Sequence, residues 1–315
     1  MVILDGRTLA QKIIAGLKAE IGERELLLAA VVIGEDPVIA KFVTQKKKIA
    51  DELGVAFRVY DYPATISTND LRKRLATIVH DADPTGIIIQ LPLPAHINTQ
   101  YILNSVPPEK DVDVLSARAV GDFSVGKSKV LPPVVAAVKA LFDEYGIDYR
   151  SKYIVVVGAG TLVGKPVAIW LTNEKASFTV VDPVRGKPRR DVGAAAPRAR
   201  ASNGVDENTP DISESTQRAD ILITGVGKPG LITGDMIKDG AVVIDAGTSV
   251  GHQPPATSHQ PGAGSRKLGA VLAGDVDFDS VSRKASHLTP VPGGVGPLTV
   301  AMIYRNLVTL GARLR

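Results

Sequence analysis

Residues 153–166 read Tyr153-Ile154-Val155-Val156-Val157-Gly158-Ala159-Gly160-Thr161-Leu162-Val163-Gly164-Lys165-Pro166, and the fold class follows from how they are read. An apolar run with no polar alternation predicts a strand, Tyr153–Val157, buried on both faces. The glycines that follow let the backbone turn and approach a ligand closely, and a helix predicted over Val163–Asn173 offers its N-terminal amides to an anion. Strand, glycine turn and helix in this order give the context of a dinucleotide fingerprint, with the last glycine one residue later than in the usual Gly-x-Gly-x-x-Gly form. The next strand, Phe178–Val181, ends in Asp182, some two dozen residues after Gly158. A carboxylate there accepts the ribose hydroxyls of NAD. The bland alternative is a tight strand–helix turn with Asp182 as a solvated loop residue.

Outward from this unit the pattern repeats. Downstream, Ile221–Gly225 and Ala241–Asp245 read as strands. Upstream, helix Thr8–Glu23, strand Leu27–Ile33, helix Ile39–Leu53, strand Ala56–Tyr60, helix Thr68–His80 and strand Gly86–Leu91 alternate, which predicts a parallel sheet with crossover helices. The expected fold is α/β in two domains, an N-terminal parallel-sheet domain and a Rossmann-like one. The pattern loosens over Ser116–Ser128, and a helix from Pro133 to Tyr145 leads into the second domain, so the change falls between about 120 and 150. Residues 184–217 and 251–267 fit neither period and read as exposed insertions. A helical tail from Leu298 to about Leu310 follows a Pro/Gly segment.

Composition narrows the function class. The 315 residues are 44% hydrophobic and 22% charged, with a net charge of +4, as in ordinary globular proteins. With no cysteine, disulfides, thiolate zinc sites, iron–sulfur clusters and cysteine nucleophiles are excluded, and five histidines leave little for a metal cage. The apolar stretch Leu26–Ile33 is far short of the roughly 20 residues a bilayer needs, and Met1–Asp5 lacks a signal pattern. These features predict a cytoplasmic protein without a metal or a membrane partner. A pI near 9.1 suits small acidic substrates, whereas only 4% aromatic residues argue against nucleic acid.

Three places in the first half carry candidate chemistry. Gly86–Pro94 is a buried strand that delivers Gln90 at its carboxyl end, where open α/β sheets bind ligands. Phe42 and Lys46 stand four apart and so share a helix face, although Lys46–Lys48 reads equally as a solvated charge run. Asp111 and Asp113 offer loop carboxylates that suit the paired N–H donors of a pterin-like ring, or serve as turn caps.

Taken in order, Asp36-Pro37 with Lys46, Gln90-Leu91-Pro92-Leu93-Pro94, Pro108–Asp113, Gly158–Pro166, Val226–Gly230, Gly240–Asp245, Gly274–Asp277 and Thr289–Val300 resemble the methylenetetrahydrofolate dehydrogenase/methenyltetrahydrofolate cyclohydrolase family. The resemblance implies NAD(P)-dependent oxidation of 5,10-methylenetetrahydrofolate and hydrolysis of the methenyl product to 10-formyltetrahydrofolate. It implies a folate-binding catalytic domain over 1–130, a nucleotide-binding domain over 131–296, and a C-terminal helix, 297–315, packing back on the first domain. By position, Lys46 matches the lysine of proton transfer, Gln90 orients it, and Asp113 holds the pterin. Phe42, Pro92, Leu93, Pro292, Gly293 and Gly294 would line the folate. Gly158, Gly160, Thr161, Leu162, Gly164, Asp182, Gly225 and Gly227 would hold the nucleotide. A homodimer is implied as well.

The departures from that family are specific. Its usual tyrosine four residues before the lysine is Phe42, its Pro-Cys-Thr-Pro-x-Gly segment is Pro132–Ala137, and the glycine after Lys-Asp-Val-Asp is Val114. Family habit implies NADP. Ala159, Gly160, Asp182 and Pro183 stand where 2′-phosphate partners are usual, and Asp182 would repel that phosphate and favour NAD. Arg185, Lys187, Arg189 and Arg190 are cations that suit a phosphate. Two other readings remain at this stage: a degenerate homologue that binds folate or nucleotide without turnover, and a nicotinamide dehydrogenase of amino or keto acids.

Overall fold

The structure is a computed structural model, and it describes residues 1–81, 83–183, 212–251 and 271–312. In chain order the first elements are β1 (Val2–Ile3), α1 (Gly6–Ile21), β2 (Leu27–Ile33), α2 (Pro37–Leu53), β3 (Ala56–Tyr62), α3 (Thr68–His80) and β4 (Gly86–Ile89). Then come α4 (Thr99–Leu103), α5 (Ala117–Ser124), α6 (Pro133–Glu144), β5 (Tyr153–Val157), α7 (Gly164–Asn173) and β6 (Ser177–Val181). The last are α8 (Ile212–Thr216), β7 (Ile221–Thr224), β8 (Val242–Asp245), β9 (Ser249–Gly251), β10 (Val271–Ala273), α9 (Phe278–Ser282), β11 (His287–Leu288) and α10 (Val295–Gly311). No helix among the described residues is long and apolar enough to cross a membrane.

The chain divides into two compact units. One comprises Met1–Leu4, Asp148–Leu171 and Lys175–Pro292; the other Asp5–Ile147, Thr172–Glu174 and Gly293–Arg315. The first holds an all-parallel six-stranded sheet in the order β1-β11-β8-β7-β5-β6. The second holds a parallel three-stranded sheet, β3-β2-β4. Both sheets reverse direction of growth beside their first-laid long strand, at β5/β7 and at β2/β4. Ligands bind beyond the strands' carboxyl ends at such points.

Central strands are buried throughout, as their unbroken apolar runs require: every residue of β2, β4 and β7 is buried, whereas the edge strand β3 alternates. Helices α1 and α2 begin two residues earlier than their apolar periodicity suggests, because Asp5 and Asp36 cap them by accepting backbone N–H bonds at 2.7–3.1 Å. Ser116 likewise caps α5, in a stretch that reads as loosened. The compact units divide at 147/148 and 292/293, with α6 packed on α10 and residues 2–3 paired with β11. Of the stretches read as insertions, 184–211 and 252–270 lie outside the described residues. Ile212–Thr216 is helix, with Ile212 against the first unit's core and the Thr216 hydroxyl donating to the Met236 carbonyl at 2.5 Å.

The helix α10 closes the second unit. It packs against α1 and α6, with Leu298, Ala301, Tyr304 and Leu307 wholly buried. Its Tyr304 hydroxyl donates to the Lys46 carbonyl at 2.6 Å, and Asn306 Nδ2 donates to the Val112 and Leu131 carbonyls at 2.8 Å each. Each large apolar side chain so buried contributes roughly 1.5–3 kcal/mol, so Leu298, Tyr304 and Leu307 together are comparable with the roughly 5–15 kcal/mol by which a domain is stable. Deleting residues 298–315 is therefore expected to abolish soluble expression; a truncated protein with a cooperative melting transition would contradict this.

Candidate active site

In the second unit α2 and β4 bring the candidate residues together. The strand β4 is locked to β2, and one step past it the Gln90 N–H donates to the Val31 carbonyl at 2.9 Å, which fixes Gln90 at the sheet's reversal point. Its Nε2 donates to the Leu91 carbonyl at 3.2 Å, so Oε1 is left to accept from Lys46 Nζ at 3.0 Å. Lys46 is only 8% exposed and is not part of a solvated charge run. Burial pushes its amine below the usual lysine range, against the opposing attraction of Asp113. The Phe42 ring lies one turn back, its centroid 5.9 Å from Nζ.

Asp113 is carried by a loop that Asp111 organises. Buried Asp111 accepts the Leu115 and Ser116 N–H groups at 3.0 and 2.8 Å, and the Ile87 N–H donates to the Lys110 carbonyl at 2.8 Å. Burial pushes the Asp113 carboxyl up to about 6, and Asp111 adds to that rise, although Lys46 pulls the other way. Val114 holds the left-handed conformation of the glycine it replaces, φ 57°. A β-branched residue bears roughly 1–2 kcal/mol of strain there, offset by its side chain being 1% exposed.

Of the other residues expected to line a folate, Pro92, Leu93, Gly293 and Gly294 belong to this same unit. Pro92 and Leu93 come two and three residues after Gln90, with a cis Leu91–Pro92 bond. Gly293 (φ 120°) and Gly294 precede α10 in this unit, and a Cβ on Gly6 would overlap the Gly294 carbonyl, so α1 approaches this turn backbone to backbone. Pro292 is the last residue of the other unit's segment. Sequence periodicity missed Tyr304 and Asn306, which tie the Lys46 turn and the Val112 carbonyl to one helix; both sit inside an apolar tail, where the buried polar residue is the only available signal.

In the nucleotide unit the glycines meet at the β5/β7 reversal. Gly158 has φ 100°, and a Cβ on it would lie 2.9 Å from the Gly225 carbonyl oxygen. A Cβ on Gly164 would overlap the Gly158 carbonyl, and one on Gly225 would overlap Val163. Gly160 and Gly227 leave open backbone beside them, Thr161 is exposed and Leu162 is 52% exposed. The Gly158 N–H donates to the Val181 carbonyl at 2.7 Å, which sets Asp182, the next residue, beside the glycine turn. Such bare backbone at a helix start fits the pyrophosphate of a dinucleotide. Of the arginine and lysine side chains considered for a 2′-phosphate, all four lie outside the described residues.

Comparison with known proteins agrees with this arrangement. Residues 4–113 match the family model for the catalytic domain of tetrahydrofolate dehydrogenase/cyclohydrolase, and residues 132–196 and 197–314 match its NAD(P)-binding domain. The bifunctional protein FolD of Nautilia profundicola is 37% identical over 313 residues, covering 98% of this chain and 96% of that protein. FolD of Moorella thermoacetica is 36% identical, covering 99% of each. The crystal structure of the Campylobacter jejuni bifunctional enzyme superposes with a TM-score of 0.82 at 33% identity, covering 99% of each chain. That of Trypanosoma brucei, complexed with NADP and an inhibitor, gives 0.84 at 31%, covering 99% of this chain and 98% of that one. An amino- or keto-acid dehydrogenase would leave these matches without explanation. The chain belongs to the tetrahydrofolate dehydrogenase/cyclohydrolase family, bifunctional NAD(P)-dependent enzymes of one-carbon folate metabolism.

Proposed function

We propose that this chain performs both family reactions with Lys46, Gln90 and Asp113 as its working groups, and that NAD is its preferred nucleotide. The observation that carries the reading is the dry Lys46 amine held 3.0 Å from Gln90 Oε1. A lysine whose charged form is disfavoured by burial gives up its proton more readily than a solvated one. In the dehydrogenase step the bound nicotinamide supplies the hydride acceptor. In the hydrolytic step water adds to the methenyl carbon and the bond from that carbon to N5 breaks. One water proton ends on N5, and the other leaves through the Lys46 amine to solvent. Gln90 keeps that amine aimed without itself carrying charge. Asp113, ionised, accepts the N–H groups of the pterin; Phe42, Pro92, Leu93, Gly293 and Gly294 supply apolar or bare-backbone walls.

Asp182 supports NAD: as the residue after β6 it stands beside the glycine turn, where a carboxylate suits ribose hydroxyls and repels a 2′-phosphate. A homodimer built through the nucleotide unit, working in the cytoplasm, completes the proposal. The resemblance supports the dimer, and the cysteine-free composition suits a reducing compartment.

The deciding experiment follows reduced cofactor and methenyltetrahydrofolate by absorbance, with 5,10-methylenetetrahydrofolate and NAD or NADP. Reduction with NAD at the higher kcat/KM is expected; preference for NADP would overturn the nucleotide assignment, and no reduction with either would overturn the reading as a whole. Phe42 lacks the hydroxyl that family members place beside the lysine, so methenyl product is expected to accumulate. Phe42→Tyr is expected to raise cyclohydrolase turnover at least threefold while leaving nucleotide reduction within twofold.

Acid should act through Asp113. Its carboxyl takes up a proton as pH falls through about 6, which replaces an acceptor with a neutral acid, so kcat/KM for folate is expected to drop about tenfold per pH unit below that point. A profile flat down to pH 5 would remove Asp113 from substrate binding.

A further inference from the structure

Two segments quoted from the sequence, Gly240–Asp245 and Gly274–Asp277, have no part in the chemistry above, yet each places a buried acid at the sheet's carboxyl edge. Asp275 is 0% exposed and Asp245 is 2% exposed. Asp275 Oδ2 accepts the Thr224 hydroxyl at 2.9 Å and the Val226 N–H at 2.6 Å, while its Oδ1 accepts the Lys228 N–H at 2.8 Å. One carboxylate thus holds the end of β7 and the loop after it, the loop that carries Gly225 and Gly227. Asp245 in turn holds Asp275. Its Oδ1 accepts the Gly247 and Asp275 N–H groups at 2.9 and 3.1 Å, and its Oδ2 accepts the Val276 N–H at 2.9 Å.

The brace leaves no slack. A Cβ on Gly247 would overlap the Asp275 carboxyl, and one on Gly274 would overlap that of Asp245. Burial, with Asp275 nearby, pushes the Asp245 carboxyl up to about 6, so an ionised Asp245 is costly here. Stability alone is served as well by apolar residues of similar volume. What an acid adds is a rigid set of acceptors that fixes backbone N–H directions. The loop so fixed abuts Gly158, whose Cβ would meet the Gly225 carbonyl at 2.9 Å, at the reversal point where a dinucleotide binds.

We propose that Asp275, seated by Asp245, is a positioning residue for the nicotinamide nucleotide, holding the 225–228 loop in its binding form. This rests on the nucleotide-binding reading given above. Asp275→Asn keeps the shape but leaves one acceptor oxygen and turns an NH2 toward N–H donors. Thr224→Val is a milder variant that removes only the hydroxyl donor.

The test is calorimetric titration of NAD and of NADP into wild type and both variants, together with cyclohydrolase rates measured on methenyltetrahydrofolate without nucleotide. For Asp275→Asn the Kd of the preferred nucleotide is expected to rise at least tenfold, and for Thr224→Val about threefold, with cyclohydrolase turnover within twofold of wild type in both. Unchanged Kd values in folded variants would overturn the inference, as would equal losses of binding and cyclohydrolase, which mark a purely structural role. Should Asp275→Asn fail to fold, the Thr224→Val Kd decides. Wild-type protein that binds neither nucleotide would overturn the parent reading and this inference with it, whereas wild-type binding with unchanged variants would overturn this inference alone.

Discussion

The burial of α10 against α1 and α6 is the packing interaction on which the catalytic unit depends. Its apolar faces close the core, and two polar groups within it set the spacing of the site. Tyr304 grips α2 at the Lys46 carbonyl, and Asn306 grips the Asp113 loop at the Val112 carbonyl. A lysine and a carboxylate in so dry a setting attract strongly and would close on each other if their backbones were free to shift. Anchoring both backbones to one helix restrains that approach, and Gln90 gives the amine a neutral partner.

Much of this was legible in the sequence, and the reason is burial. Strands β2, β4, β5 and β7 are covered on both faces, so their sequences are unbroken apolar runs that few other structures accept. The glycine turn at Gly158 and the amide at Gln90 were legible because reversal points of parallel sheets concentrate function. Helix starts were misplaced by two residues, since the caps Asp5 and Asp36 precede the apolar period. Short elements such as α5, α8 and the β9–β10 pair were not visible, because their conformation is decided by neighbours distant in sequence rather than by their own propensity. The roles of Tyr304 and Asp275 were hidden for the same reason: each acts on backbone remote in the sequence, which no local period reveals.

Two substitutions at the site differ in kind. Val114 alters a residue whose backbone shape matters, and the surroundings hold that shape despite the strain. Phe42 alters a residue whose functional group matters, and no packing restores a missing hydroxyl. The first is tolerated by the fold; the second changes the chemistry available beside Lys46.

The interleaving of the units has a consequence for how the protein is made. Residues 2–3 complete their sheet only when 287–288 arrive, and α1 waits for α10. At roughly 5–20 residues per second of synthesis, the first strand and first helix stay without their partners for on the order of 15–60 s. The second unit, which needs residues 293–315, therefore cannot finish on the ribosome before the whole of the first has been translated. The early apolar segments are exposed to chaperones and to neighbouring nascent chains throughout that interval, which makes translation speed itself a determinant of yield.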